Sequence, residues 1–326
     1  MSLARYTAVL LIFTVLLSGT VRGEESAASG EKEIRIRMLW LPQAEFAGFY
    51  LAQEDGLFEK EGLRVRIDHP EKGGEDVLSL LDRGEADFVV TWLSSALQRT
   101  AGNGRFVNVM QIHQASALVL IARKADGVHE TSDLSGKRIG LWFPPDLRNP
   151  FLCFLRRKNI RDAELLPVLS PVNLLLFRCT PVIGGVEYDE CSKLYFSGVN
   201  PDEITVFRLN EAIPDLADDG LYCLKKTWQT SPDVCRKIRR AVMAGWRAAF
   251  ADKDRALRIV KKNCDSSGVF FQKSYQKNML DVMERLFHAE TNDGQLRRAS
   301  FEQGMDAAGV PAGSVRYEDF APEDLK

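Results

Sequence analysis

Ile34, Ile36 and Met38 alternate with Arg35 and Arg37, the two-residue period of a half-buried strand. Residues 47–54 then follow a helical pattern that Gly56 stops, because glycine takes the left-handed conformation at a helix end cheaply. A further turn stops at Gly62, and Leu63, Val65 and Ile67 alternate as a second strand. The same alternation of elements continues. Residues 75–83 predict an amphipathic helix closed by Gly84, residues 86–91 a strand, and Trp92 onward another helix. Strands are predicted over 107–113, 117–123, 137–142, 181–186 and 205–209, and helical segments over 150–158, 172–177 and 189–196. Pro144-Pro145 reads as a break after the strand ending at Trp142. Ser231-Pro232-Asp233 is a helix start with proline in its first turn, and that helix runs to about Ala251, followed by helices over 254–263 and 275–288. Strands interleaved with helices throughout argue for parallel-rich α/β sheets.

The ends and the composition narrow the picture. Arg5 followed by an apolar run over 8–17 reads as an export signal over residues 1–23, too short to span a bilayer, and 24–33 reads as a flexible leader. Without residues 1–23 the chain loses Arg5 and Arg22, so its net charge becomes 41 − 45 = −4, and nothing suggests a nucleic-acid surface. About 300 residues suffice for two lobes. Six dispersed cysteines show no metal-ligand spacing; Cys179 with Cys191 and Cys223 with Cys235 are local candidates for disulfides, against buried free thiols. His69, His113, His129 and His288 are far apart in sequence and form no ligand pair at helical spacing. Arg236, Lys237, Arg239 and Arg240 read as a solvated helix face.

WLPQAEFAGFYLAQEDGLFEKEGLRVRI, beginning at Trp40, resembles the opening unit of the thiamine-pyrimidine-precursor branch of substrate-binding proteins, relatives of the alkanesulfonate and taurine binders of ABC importers. Later segments fit the same frame in order: LLDRGEADFVVTW (80–92), DLSGKRIGLW (133–142), EYDE (187–190) and PDEITVFRL (201–209). The resemblance implies a two-lobed, type II periplasmic-binding-protein-like α/β fold, each lobe a mixed, mostly parallel sheet flanked by helices. Its implied lobes are residues 34–115 plus 215–326 and residues 116–214. It further implies a monomer that holds a small ligand between its lobes without a cofactor and delivers it to an ABC permease and its ATPase.

Candidate binding residues follow from position and chemistry. Trp40, Trp92 and Trp142 each end an apolar strand pattern, where ligand-facing side chains project in open α/β sheets, and flat rings stack well on indoles. Capping of the core is the alternative for each. Tyr188 and Glu190 match the family's Tyr-Asn-Glu-Tyr motif, with Asp189 and Cys191 replacing its second and fourth residues, which implies a carboxylate that accepts from an exocyclic amine. A solvated first-turn acid explains Glu190 equally simply. Gln43 and Glu45 lie in the loop before the first helix. Ser94 and Ser95 sit at a helix N-terminus, a place suited to an anion and equally to ordinary capping. Trp142-Phe143-Pro144-Pro145 departs from the glycines usual in that family.

Three alternatives stand beside a heteroaromatic-ligand binder: an organosulfonate or other anion binder, a sensor domain that docks on a membrane signalling protein, and the family's own fungal pyrimidine synthases. The synthases consume pyridoxal phosphate and a histidine of their own chain, with iron. Their lysine and histidine positions correspond here to Thr91 and Ser95, and Cys223 is the lone cysteine of DDGLYCLKKTW where they carry a cysteine-rich run. A Schiff base needs a lysine amine at the site, so binding without catalysis is the expectation.

Overall fold

The alternating residues at the start form β1 (Ile34–Arg37) in a computed structural model that describes residues 33–288 and 290–322. The export-signal segment and almost all of the expected leader lie outside the described residues. The remaining strands are β2 (Val65–Asp68), β3 (Phe88–Trp92), β4 (Phe106–Gln111), β5 (Leu118–Arg123), β6 (Arg138–Trp142), β7 (Glu164–Val168), β8 (Val182–Val186), β9 (Ile204–Arg208) and β10 (Asp219–Leu224). They form two five-stranded sheets, ordered β2-β1-β3-β10-β4 and β7-β6-β8-β5-β9. In the first sheet β1 pairs in parallel with β2 and β3, while β10 runs antiparallel between β3 and β4. The second repeats the scheme: β6 is parallel to β7 and β8, and β5 runs antiparallel between β8 and β9. In each sheet the reversed strand is the one the chain enters on crossing from the other sheet. The fold is thus the two-sheet periplasmic-binding-protein architecture that the resemblance implies.

Two strands are absent from the periodicity-based reading, for physical reasons. β10 is buried along most of its length and shows no apolar–polar alternation. β7 is a largely exposed edge strand, the one place where its Pro167 does not break a ladder. The pair Pro144-Pro145 starts a helix rather than barring one. Pro144 is extended at the N-cap and Pro145 opens the helix Pro145–Arg157, where a missing N–H has no partner to lose. The expected helix over 189–196 begins earlier, as a π-helical turn Glu187–Cys191 followed by the helix Ser192–Phe196. All six cysteines are free thiols, five of them buried. The basic run is only partly solvated. Arg239 is buried and donates to the Asp293 carbonyl, whereas Arg240 pairs with Glu61 at the surface.

The first helix, Ala47–Glu54, is buried over most of its length against the long helix Pro232–Ala251. Glycine makes the approach possible: a Cβ on Gly245 would lie 2.0 Å from the Gly48 carbonyl oxygen, and one on Gly48 would lie 2.3 Å from the Trp246 ring. Trp246 in turn stacks on Phe250 and Phe287. Alanine at 245 gains about 1 kcal/mol of helix propensity. It must still separate the helices, so Gly245→Ala is expected to destabilise by about 3 kcal/mol in urea titration.

Candidate functional site

The chain passes between the sheets twice, from β4 to β5 and from β9 to β10, and these crossings are tied together. The Asp219 carbonyl accepts from the N–H groups of Ile112 (2.9 Å) and His113 (3.0 Å). Gln111 Nε2 donates to the carbonyls of Asp219 (2.9 Å) and His113 (3.0 Å). Asp218 Oδ2 accepts from Ala117 N–H at 2.6 Å, and Asn292 Nδ2 donates to the Ile112 carbonyl at 3.0 Å. Asp219 sits opposite Trp92 in the β3–β10 ladder, at the carboxyl tip of β3. In open α/β sheets that is where ligands bind.

Side chains from both sheets meet there. Trp92, ending β3, and Trp142, ending β6, have ring centroids 5.4 Å apart with planes inclined at 56°, and Trp142 also meets Phe151 edge-on. Tyr188, in the turn after β8, donates to Glu45 Oε1 at 3.0 Å across the crevice, and Gln43 Nε2 donates to Glu45 Oε2. The structure therefore brings Gln43, Glu45, Trp92, Trp142 and Tyr188 to one junction. Glu190 is buried beside them, but its Oε2 accepts from Val186 N–H at 2.8 Å. The glycine pair of β8 makes room for this turn, since a Cβ on Gly185 would lie 2.6 Å from Glu190 Cβ. Glu190 is thus no solvated first-turn acid.

Other candidates are placed differently. Trp40 is 38% exposed and its ring covers Gly73; its carbonyl accepts from His69 Nδ1 at 2.7 Å, while Tyr50 donates to His69 Nε2 at 2.8 Å. Ser94 and Ser95 are buried in the first turn of the helix Leu93–Asn103. The first N–H of that helix, on Leu93, donates to the Asp218 carbonyl at 2.9 Å. Ser95 Oγ has no partner among the described residues.

Three groups of this junction escaped the sequence reading: Asp218, Asp219 and His113. All are buried, with Glu45 between them and Tyr188. Burial pushes all three carboxyl pKa values up, Asp218 to about 7, Glu45 and Asp219 further perturbed by facing each other. Burial likewise raises Glu190 to about 8, helped by Asp189. His113 is held neutral by desolvation, near 3, although its Nδ1 lies 3.7 Å from Asp219 Oδ2. Among the described residues, no group of three His, Cys, Asp or Glu side chains is arranged to hold a metal ion. At the synthase positions stand Thr91, buried in β3, and Ser95, neither able to form a Schiff base.

Helices close over the junction from the sides. Arg156 and Arg157, on the helix after β6, pair with Asp306 of the helix Arg298–Ala308, and Asn149 donates to the Ala308 carbonyl at 2.9 Å. From the helix Lys273–Phe287, Tyr275 donates to Asp189 and Asn278 to Ser192 Oγ (2.7 Å).

The sign of the pH dependence follows from the carboxyl groups. Folded Asp218 and Glu190 retain protons that the unfolded chain releases near pH 4, so their contribution is full below that and is lost as pH rises through about 7 and 8. His113 works in the opposite sense: its contribution is full above the ordinary value of 6.5 and is lost as pH falls below it. Thermal unfolding is thus expected to show a midpoint that falls from mildly acidic to alkaline pH. Asp218→Asn is expected to flatten that fall, as measured by scanning calorimetry across the range.

Comparison with known proteins agrees with this fold. The family model described as "NMT1/THI5 like" matches residues 43–256. The chain is 23% identical over 242 residues to the riboflavin-binding protein RibY of Chloroflexus aurantiacus, an alignment covering 69% of this chain and 64% of that one. The periplasmic aliphatic sulphonate binding protein SsuA from Escherichia coli superposes with a TM-score of 0.67 at 13% identity, covering 85% of this chain and 91% of that one. A ligand binding component of an ABC-type import system from Staphylococcus aureus, with zinc bound, gives 0.65 at 14% identity, over 90% and 97%.

Proposed function

The chain belongs to the NMT1/THI5-like family, and on that premise we propose that it is a periplasmic solute-binding protein of an ABC importer, capturing a small planar heteroaromatic ligand between its two sheets. Its partners in this reading are a permease and its ATPase, to which the closed, loaded form docks. The contact between Trp92 and Trp142 carries the proposal: two indoles from opposite sheets meet, and a flat ring that parted them would gain both as stacking partners. An amine-bearing ring such as an aminopyrimidine suits the acceptors around it, Glu45 and Glu190, and the Tyr188 hydroxyl. A sulfonate is the poorer match: the same desolvation that pushes three carboxyl pKa values up here opposes burying an anion. The synthase reading finds no support at Thr91 or Ser95, and catalysis is not part of the proposal.

Native mass spectrometry of the protein purified from its own source is expected to reveal a bound heteroaromatic molecule. Recovery of an aliphatic sulfonate instead would overturn the ligand class. Entry of the ring separates the paired indoles, so binding is expected to change tryptophan emission. Trp142→Ala is expected to remove most of that change and weaken binding at least about tenfold in fluorescence titration.

A further inference from the structure

The acids at the crossing are more numerous than a flat neutral ring requires, and they have no counter-charge. Glu45, Asp218 and Asp219 act electrostatically on one another, with Asp189 adding further negative charge at Glu45. Lys193, on the helix after Glu190, is engaged by Asp189 at 2.7 Å. Among the described residues no lysine or arginine forms an ion pair with the three acids. Most of their hydrogen bonds do not supply a charge either: Asp218 is met by a backbone N–H and the Ser116 hydroxyl, Glu45 by Gln43 and Tyr188.

Beside the acids stand two buried polar side chains without a hydrogen-bond partner among the described residues. His113 is 1% exposed and neither of its ring nitrogens has a hydrogen-bond partner, although Nδ1 faces Asp219. Ser95 Oγ, on the first turn of the helix after Trp92, is also buried without a partner. Leaving such groups unsatisfied is costly, and native interiors rarely do so without a reason. Asp219, which His113 faces, meets Glu45 side chain to side chain.

We propose that Glu45, Asp218, Asp219 and His113 form a subsite for an organic cation, a protonated amine or amidine borne by the ligand, at the floor of the crevice beneath Trp92. The inference rests on the reading of the crevice as a solute site and specifies the charge of its guest. An organic cation fits better than a metal ion, because several N–H donors spread over separate acceptors, whereas a metal needs ligands converging on one point and these residues are not so arranged. Neutral His113 supplies an acceptor nitrogen and the carboxylates supply charge. The elevated carboxyl pKa values fit this arrangement: the guest's charge replaces a proton that Glu45 and Asp219 hold between them, and that proton leaves to solvent.

The test uses the full chain and three planar probes of matched size: benzamidine (cation), benzamide (neutral) and benzenesulfonate (anion). In titration calorimetry benzamidine is expected to bind in preference to both others, more tightly as pH rises. Measured in two buffers of different ionisation enthalpy, the heat is expected to report proton release. Glu45→Gln and Asp219→Asn are each expected to weaken benzamidine roughly thirtyfold while leaving far-ultraviolet circular dichroism unchanged. Should Asp219→Asn fail to fold, the nearly isosteric Glu45→Gln carries the comparison. Binding of benzenesulfonate or benzamide over benzamidine, benzamidine binding indifferent to Glu45→Gln, or no benzamidine binding at all overturns the cation subsite. A neutral or anionic molecule recovered from the native protein would then leave the solute-binding reading standing, and recovery of none would end both.

Discussion

The two crossings between the sheets are the constraint on which the rest of this molecule depends. They run side by side, and each exhausts the other's backbone hydrogen-bonding groups: the Asp219 carbonyl takes two N–H donors from the facing crossing, and Gln111 and Asn292 fill what remains. The connections between the sheets are short, over residues 112–117 and 209–218, so any motion of one sheet against the other would be absorbed at a few backbone torsions there. The acids of the candidate subsite belong to these same crossings. Asp218 braces Ala117 with its side chain, and Asp219 aligns Trp92 through the sheet. In the proposed reading the cation subsite lies within the crossings themselves, so a charge bound there would act directly on the segments that join the sheets.

Closure is reinforced at the flanks by contacts of a different kind. Asp306 with Arg156 and Arg157, and Tyr275 with Asp189, are polar and near the surface, whereas the floor is desolvated. Partly exposed ion pairs contribute little each, about 1 kcal/mol or less, and can break and reform as the sheets part. Buried carboxyl groups are the opposite: without a cationic partner they hold protons or destabilise the closed form. In the proposed reading, weak rim contacts and an acidic floor would let a ligand's charge bias any open–closed equilibrium, since a ligand shifts such an equilibrium by its differential affinity for the two states.

Much of the fold was legible because β1, β2 and the helices carry clean periodicity and glycine stops; Gly56, Gly62 and Gly84 all adopt positive φ. Trp92 and Trp142 were legible as candidates because strand ends are readable. Asp218 and Asp219 were not, because Asp-Asp-Gly reads as a turn and β10, buried over most of its length, has no alternation to announce a strand. His113 looked isolated since its partner Asp219 lies far along the chain and is brought to it only by the crossing. Arg239 misled for the same reason: helix periodicity places it beside exposed cations, but the segment carrying Asp293 and Gly294 covers it. Trp40 shares the strand-end signature of the other two indoles, and local sequence gives no hint that Gly73 lies beneath it.

The sheet order carries a consequence for how this polypeptide is assembled. Within its sheet β4 touches only β10, so it waits, edges unpaired, until the whole of the other sheet has been synthesised. The second sheet, β5 to β9, is contiguous in the chain and can finish first, whereas the first sheet must wait for β10 and for the register that sets Asp219 against Trp92. Late, long-range pairing of this type slows folding, because the loop must be closed before its contacts reward it. The junction where Asp219 meets Trp92 therefore comes into being only at the final stitch.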